Sequence, residues 1–280
     1  KFSLIASKKL LEKNLIRKDI DIDSFDQKEP TLDNLRNNTQ QVEESALNVS
    51  KNIKSDGAEA SWNKSKIKLI TSNGFFGSDI KTNNSISIIV LGKKSEKMER
   101  DYDFSSKVFF NDLECPKILG KKAGEKVIKK LGSTKPKTGN FPIIFAPRVA
   151  NTIAGHIASC LNGSSVARGM SFLKDSLNKK VFSNDINIDD DPFLKRGLGS
   201  RLFDAEGIGS KKLNLISNGF LKNWLLDISS STQLNMSTNG NAVRGINTPP
   251  TPGTSNLMIL PGKFSQNDFL NDINEGFLVT

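Results

Sequence analysis

The chain has a single histidine, His156, and two cysteines, Cys115 and Cys160. With one imidazole, any Ser-His-Asp or Cys-His mechanism must run through His156. The cysteines form no C-x-x-C pair, and two isolated thiols without a secretory segment suit the reduced state of a cytoplasmic protein. No apolar run approaches the roughly 18 residues that a membrane helix needs, and the opening Lys1-Phe2-Ser3-Leu4 is not a signal peptide. No membrane partner is therefore expected. There is no G-x-S-x-G elbow, since Gly163-Ser164-Ser165-Val166-Ala167 fails at its fifth position. There is also no phosphate loop of P-loop spacing, and Gly197-Leu198-Gly199 lacks the strand-before-helix setting of a dinucleotide site. The run Asp189-Asp190-Asp191 misses the alternate ligand spacing of a calcium loop, and Pro192 stiffens it into a turn. By itself it cannot supply the three or four converging ligands of zinc.

What the chain does have is lysine. Forty Lys and Arg face 30 Asp and Glu, a net charge of +10 over 280 residues. The excess sits mainly in the first half, where residues 1–140 carry 27 basic and 19 acidic side chains. A nucleic-acid surface gathers its cations on one face or interleaves them with aromatics. Here they are scattered, as in Lys121, Lys122, Lys126, Lys129 and Lys130 along one helix, and a solvated lysine face is the reading that fits. No nucleic-acid partner is expected.

Apolar spacing sets the expected elements. Leu4, Ile5, Leu11, Leu15 and Ile16 recur as on a helix over residues 3–18, and Asp19-Ile20-Asp21-Ile22-Asp23 alternates as a short strand. Thr31 suits the N-cap of a helix reaching about Ser50, with a buried stripe of Leu32, Leu35, Val42, Ala46, Leu47 and Val49. Residues 56–110 read as a β-meander, with Asn73-Gly74 as a hairpin turn because both residues tolerate positive φ. Pro116 opens a helix that Gly132 stops. The polar, breaker-rich stretch Ser133 to Gly139 marks a boundary. Beyond it come a buried strand, Phe141 to Phe145, a helix from Pro147 to about Leu161, and short segments punctuated by glycine, proline and serine. The expected class is α+β: residues 1–24 end an N-terminal domain, 25–134 form a central domain of mixed helix and antiparallel sheet, and 135–280 form a β-rich C-terminal domain. The chain opens on lysine and stops in Gly276 to Thr280 as if within a strand, so a fragment lacking both termini is expected.

Two candidate chemistries arise from local patterns. Ser171-Phe172-Leu173-Lys174 and Ser61-Trp62-Asn63-Lys64 match S-x-x-K, and Lys137-Thr138-Gly139 matches K-T-G. A penicillin-binding enzyme orders them S-x-x-K, S-D-N, K-T-G; here one match follows K-T-G and the other has no S-D-N between. Asp204 and Glu206 flank one residue and would share a face of a strand. As paired carboxylates they could do acid-base work; the competing role is to bind backbone amides or Arg201.

The ordered series from Phe141 to Gly262 is more specific. It contains Gly155-His156, Asn162 to Gly169, Ser171-Phe172-Leu173, Asp190-Asp191-Pro192, Gly199-Ser200-Arg201, Phe203 to Gly207, Asn218 to Leu221, Ser237 to Ala242 and Pro261-Gly262. In order and spacing it resembles the C-terminal region of the TldD/PmbA peptidase family. Upstream, Ser72 to Phe75, Met98 to Asp103 and Ala123-Gly124-Glu125 resemble that family's central domain.

The resemblance implies a departure as well as a kinship. The family's catalytic member carries H-E-x-x-x-H, two histidines for zinc and a glutamate as general base. Aligned on Gly155-His156, this chain has Asn151 for the first histidine and Thr152 for the glutamate. His156 alone survives, and Thr152 cannot activate a metal-bound water. Positions i and i+5 also lie about 140° apart on an ideal helix, so with Asn151 and Thr152 the helix is free to relax and bury Ile153, Ile157 and Cys160. The resemblance thus implies a partner-type (PmbA, or TldE) subunit with no catalytic residue, cofactor or metal of its own. Zinc belongs to a TldD-like catalytic subunit, the substrates are small or unfolded peptides, and a homodimer stays open. The rival is an independent hydrolase using His156 or the acidic pair.

Overall fold

The computed structural model describes residues 19–280 apart from positions 73 and 274. The helix expected over residues 3–18 lies outside the described residues. Thr31 caps helix α1 (Leu32–Leu47) as expected. Its hydroxyl accepts from Asn34 N, and the Asn34 side chain accepts from Thr31 N, so two orphan donors are satisfied reciprocally. Only Val42 and Ala46 of the expected stripe are fully buried, while Leu32 is 79% exposed. A long hairpin follows, β1 (Ile53–Ile70) with β2 (Phe76–Lys94), and then β3 (Lys97–Lys107). The three form an antiparallel sheet in the order β1-β2-β3. A 3-10 turn (Phe110–Asp112) leads to α2 (Pro116–Lys130), with proline at its first position and Gly132 at φ +85° just beyond its end.

Both helices lie on one face of the sheet. Ile86, Ile88 and Val90, alternating along β2, bury fully against Val42, Ala46, Leu119, Ala123 and Val127. The helices touch closely: a Cβ at Gly120 would sit 2.1 Å from the Val42 carbonyl oxygen. The lysines of α2 reach the acids of β3 and the loop after it. Lys126 pairs with Asp103 at 2.6 Å, Lys130 with Asp101 at 2.9 Å, and Lys122 with Glu114.

The remainder builds a second core with short strands and long hydrogen-bonded loops. β4 (Ile143–Phe145) precedes α3 (Pro147–Cys160) and α4 (Gly163–Ala167). Then come β5 (Ile188–Asp190), β6 (Leu213–Ser217), β7 (Phe220–Leu221), α5 (Ile228–Gln233), β8 (Ala242–Val243), β9 (Thr251–Pro252), β10 (Leu257–Ile259), α6 (Gln266–Asp272) and β11 (Phe277–Val279). A four-stranded sheet, β10-β5-β6-β7, carries a core of Leu161, Val166, Ile188, Leu215, Ile216, Leu221, Trp224, Leu225 and Leu226. The architecture is α+β.

Two local expectations are corrected. Asp19 to Asp23 forms no strand. Its continuation instead runs beside β2, where Ser24 O accepts from Thr82 N at 3.1 Å and Asp26 N donates to Thr82 Oγ1 at 2.8 Å. The segment Phe141 to Phe145 is a strand only from Ile143, pairs in parallel with β11, and is not buried: Ile143 is 55% exposed. A continuous apolar run signals burial only when a second layer covers it.

The two parts are tied through named contacts. Lys81 Nζ donates to Ser200 O, the Phe75 and Phe203 rings meet edge to face, and Arg196 pairs with both Asp23 and Asp112.

Candidate functional site

Helix α3 carries the three positions that the resemblance singles out. Arg148 in its first turn fixes its start. The guanidinium donates to Asp101 Oδ1 at 2.9 Å and to the Tyr102 carbonyl at 2.8 Å, and lies 4.9 Å from the centre of the Tyr102 ring. Past this anchor, Asn151, Thr152 and His156 are all exposed. The Thr152 hydroxyl turns back on its own helix and donates to Val149 O at 2.5 Å. Ile157, Ala158 and Cys160 pack on the second core, and burial pushes the Cys160 thiol up from its ordinary value. Ile153, expected in that core, is 37% exposed, because i+4 spacing from Ile157 alone did not show which side of the helix has a neighbour.

This donor set does not fit zinc. An amide, a hydroxyl bonded to its own helix and one imidazole offer neither the ligands nor the base of a catalytic site. Among the described residues no group of three or more His, Cys, Asp or Glu side chains is placed to hold a metal.

The acidic residues form a separate, buried network. Asp204 and Glu206 lie on a turn and not, as a shared face would require, on a strand. Asp204 is 2% exposed and accepts from three backbone amides, Glu206 N and Ile208 N at 2.9 Å and Ala242 N at 3.0 Å. Glu206 accepts from Ile228 N at 2.8 Å, at the start of α5. Both carboxylates therefore organise loops, the competing role named above. Burial pushes the Asp204 carboxyl up against the pull of those amides. Burial, with the charges of Asp204 and Asp227 adding to it, pushes Glu206 up to about 7, and the Ile228 amide acts the other way. Arg201 bonds neither acid: among the described residues its buried Nε and Nη2 have no hydrogen-bond partner, although Asp190 and Asp204 act on it electrostatically.

Asp189 and Asp190 end β5, both buried, and Asp191 follows it, so neighbouring carboxylates turn to opposite sides. Asp189 and Asp191 share Lys212, at 3.7 and 3.1 Å, while Asp190 faces inward and is fully buried. Asp190 accepts from Ser255 N at 2.7 Å and Asn241 Nδ2 at 2.9 Å, and burial raises its carboxyl above the usual range. Sequence reasoning missed Asn241 and Ser255 as partners, because they stand 51 and 65 positions from Asp190. The middle aspartate of the run Asp189-Asp190-Asp191 was the available signal.

The glycine- and serine-rich loops are ordered from within. Asn162 Oδ1 caps α4, Gly163 N donates to Leu225 O at 2.8 Å, and Asn239 bridges Trp224 O and Leu226 N.

A helix-backed antiparallel sheet joined to a loop-rich second core of short strands defines a two-part α+β chain of the kind the sequence series suggested. Comparison with known proteins gives the same class. Residues 26–131 match the PmbA/TldA metallopeptidase central domain, and residues 138–280 match the C-terminal domain of the same group. The chain is 33% identical over 191 residues to a metalloprotease PmbA homolog of Buchnera aphidicola, covering 68% of this chain and 41% of that protein. It is 29% identical over 261 residues to metalloprotease PmbA of Escherichia coli O157:H7, covering 93% and 56%. A crystal structure from Bacteroides thetaiotaomicron, described as a proposed modulator of DNA gyrase, superposes with a TM-score of 0.84 at 27% identity, over 93% of this chain and 57% of that one. The chain spans about half the length of the curated relatives it matches. It belongs to the PmbA/TldD metallopeptidase family.

Proposed function

We propose that this chain is the partner subunit, without a metal of its own, of a two-subunit TldD/PmbA-type metallopeptidase that degrades or matures small or unfolded peptides. A TldD-like catalytic subunit supplies the zinc, and the pair works in the cytoplasm. The observation that supports the reading is on α3: Asn151 and Thr152, which the family resemblance aligns with a ligand and a base, are both exposed, and Thr152 bonds its own helix. In this reading the chain contributes walls and backbone edges to a shared peptide-binding chamber and performs no bond-breaking step. The rival hydrolase finds no support in the acidic pair, since backbone amides take up the carboxylates of Asp204 and Glu206.

Co-expression with a relative carrying the full H-E-x-x-x-H motif, followed by zinc counting on each separated subunit, tests the reading. Zinc is expected only in the relative, with the two chains eluting together. About one tightly held zinc on this chain, or chelator-sensitive cleavage by this chain alone, overturns it.

A further inference from the structure

The two margins of the central sheet are finished differently. At the β3 margin, the outward amides of Tyr102 and Phe104 are taken by the side chains of the residues just before them. Asp101 Oδ1 accepts from Tyr102 N at 2.7 Å, and Asp103 Oδ1 accepts from Phe104 N at 3.0 Å. Arg148 occupies the Tyr102 carbonyl. Nothing can pair with that edge without displacing these groups.

Among the described residues the β1 margin has no such seal. In an antiparallel ladder, alternate residues bond inward and outward. Opposite residues here are Ser61↔Ser85 and Trp62↔Asn84 on one side of β2, and Ile86↔Ser105 on the other. Outward amides at Tyr102 and Phe104 make the even residues of β2 bond toward β3 and its odd residues toward β1. The Thr82 amide, which donates away from β1 to Ser24 O, obeys the same alternation. On β1 the even residues therefore face out: Ala60, Trp62, Lys64, Lys66 and Lys68. Among the described residues, no backbone hydrogen bond outside the ladder engages β1 between Ala58 and Ile70.

Charge selects what can dock there. Lys64, Lys66 and Lys68 lie on this stretch, Lys66 and Lys68 are exposed, and the stretch from Ala60 to Ile70 contains no acid. Lys64 is already paired with Glu29 at 2.9 Å, and across the ladder Asp79 pairs with Lys81 at 3.5 Å. A second copy of β1 would bring lysines against lysines, whereas directly opposed acids attract. We propose that the outer edge of β1, from Ala60 to Lys68, takes up one extended acidic peptide as a fourth strand of the central sheet. Main-chain bonds supply the attachment and the lysines the selectivity. This deepens the reading above by naming a substrate class, and rests on it in taking a peptide as the ligand.

The test uses the full chain and a fluorescein-labelled acetyl-(Glu-Val)4 amide. Controls are its (Lys-Val)4 counterpart and a (Glu-Val)4 peptide N-methylated at alternate residues. The acidic peptide is expected to bind at least about tenfold more tightly than either control. It should weaken with salt and slow hydrogen exchange at the even amides from 60 to 68. Lys66→Pro removes an outward donor but no ladder bond, and should abolish both effects with the melting temperature preserved. Lys66→Glu/Lys68→Glu should reverse the preference between the two charged peptides. Unchanged binding in Lys66→Pro, protection at other amides, or equal binding of the N-methylated peptide overturns the proposal. So does peptide-free dimerisation that protects the same amides, which would name a second copy as the occupant. Zinc counting and co-elution are independent of these readouts, so failure here and failure of the subunit assignment are separately visible.

Discussion

Asp101 and Arg148 meet at 2.9 Å across the junction between the central sheet and α3, and the carboxylate side chain is only 1% exposed. Burial works against a charged Asp101, but hydrogen bonds from Arg148, Lys130 and the Tyr102 amide outweigh it and hold the carboxyl below its usual range. One buried acid thus fixes the end of α2, the edge of β3 and the first turn of α3.

Arg148→Ala should destabilise the chain by about 1–3 kcal/mol, because it leaves a buried carboxylate with Lys130 as its remaining cationic partner. Arg148→Lys should restore only part of that, since an ammonium cannot bond Asp101 and the Tyr102 carbonyl while lying on the ring. For a carboxyl lowered in the fold, the stabilisation is present above its unfolded value, about pH 4, and is lost as pH falls through the folded value. Urea unfolding at pH 7 and pH 3 should accordingly show a smaller difference between wild type and Arg148→Ala in acid.

Glu206 carries the opposite sign. Its carboxyl, raised to about 7, stays protonated in the fold while the unfolded chain ionises near about pH 4.3. The unfolded state then binds fewer protons, so stability falls as pH rises from about 4.3 toward 7 and levels off above. Glu206→Gln keeps an oxygen for the Ile228 amide and removes the charge. It should match wild type near pH 4 and exceed it by about 1–2 kcal/mol at pH 8, measured by denaturant unfolding at the two values.

Gly120 is where α1 and α2 touch. Gly120→Ala places a methyl carbon 2.1 Å from the Val42 carbonyl oxygen, so the helices must part over the face that covers Ile86 and Ile88. A loss of about 2–4 kcal/mol is expected. A thermal melt within two degrees of wild type would contradict the packing described here.

His156 is exposed on α3. In a complex reconstituted with the catalytic relative, His156→Ala should leave kcat/KM within about twofold, because neither base nor second ligand stands beside it. A fall beyond about tenfold, with assembly and melting intact, would give the imidazole a catalytic part.

Legibility in the sequence followed the range of the interactions. Thr31, Pro116 and Gly132 were readable because caps and stops are settled within four residues. Alternation exposed the buried side of β2. The segment Phe141 to Phe145 misled because strand propensity says nothing about whether a covering layer exists, and Ile153 misled for the same reason. For Asp204 and Glu206 the sequence left two roles open, acid-base work or binding of backbone amides, and two of the Asp204 donors, Glu206 N and Ile208 N, are local. Asp190 was hidden further, because its partners Asn241 and Ser255 stand 51 and 65 positions away, and nothing local in a loop-rich stretch brings them together. At α3 the reading of Asn151 and Thr152 rests on the resemblance of the surrounding series, and the structure adds only that both side chains are exposed.

The self-sealed margin at Asp101 and Asp103 has a consequence for assembly in a crowded solution. A sheet with two open margins can be a link, receiving a strand on one side and offering one on the other, and links propagate into fibres. With one margin closed by its own carboxylates, each chain is a terminus. Strand addition through this sheet is therefore confined to its β1 margin and does not pass from chain to chain.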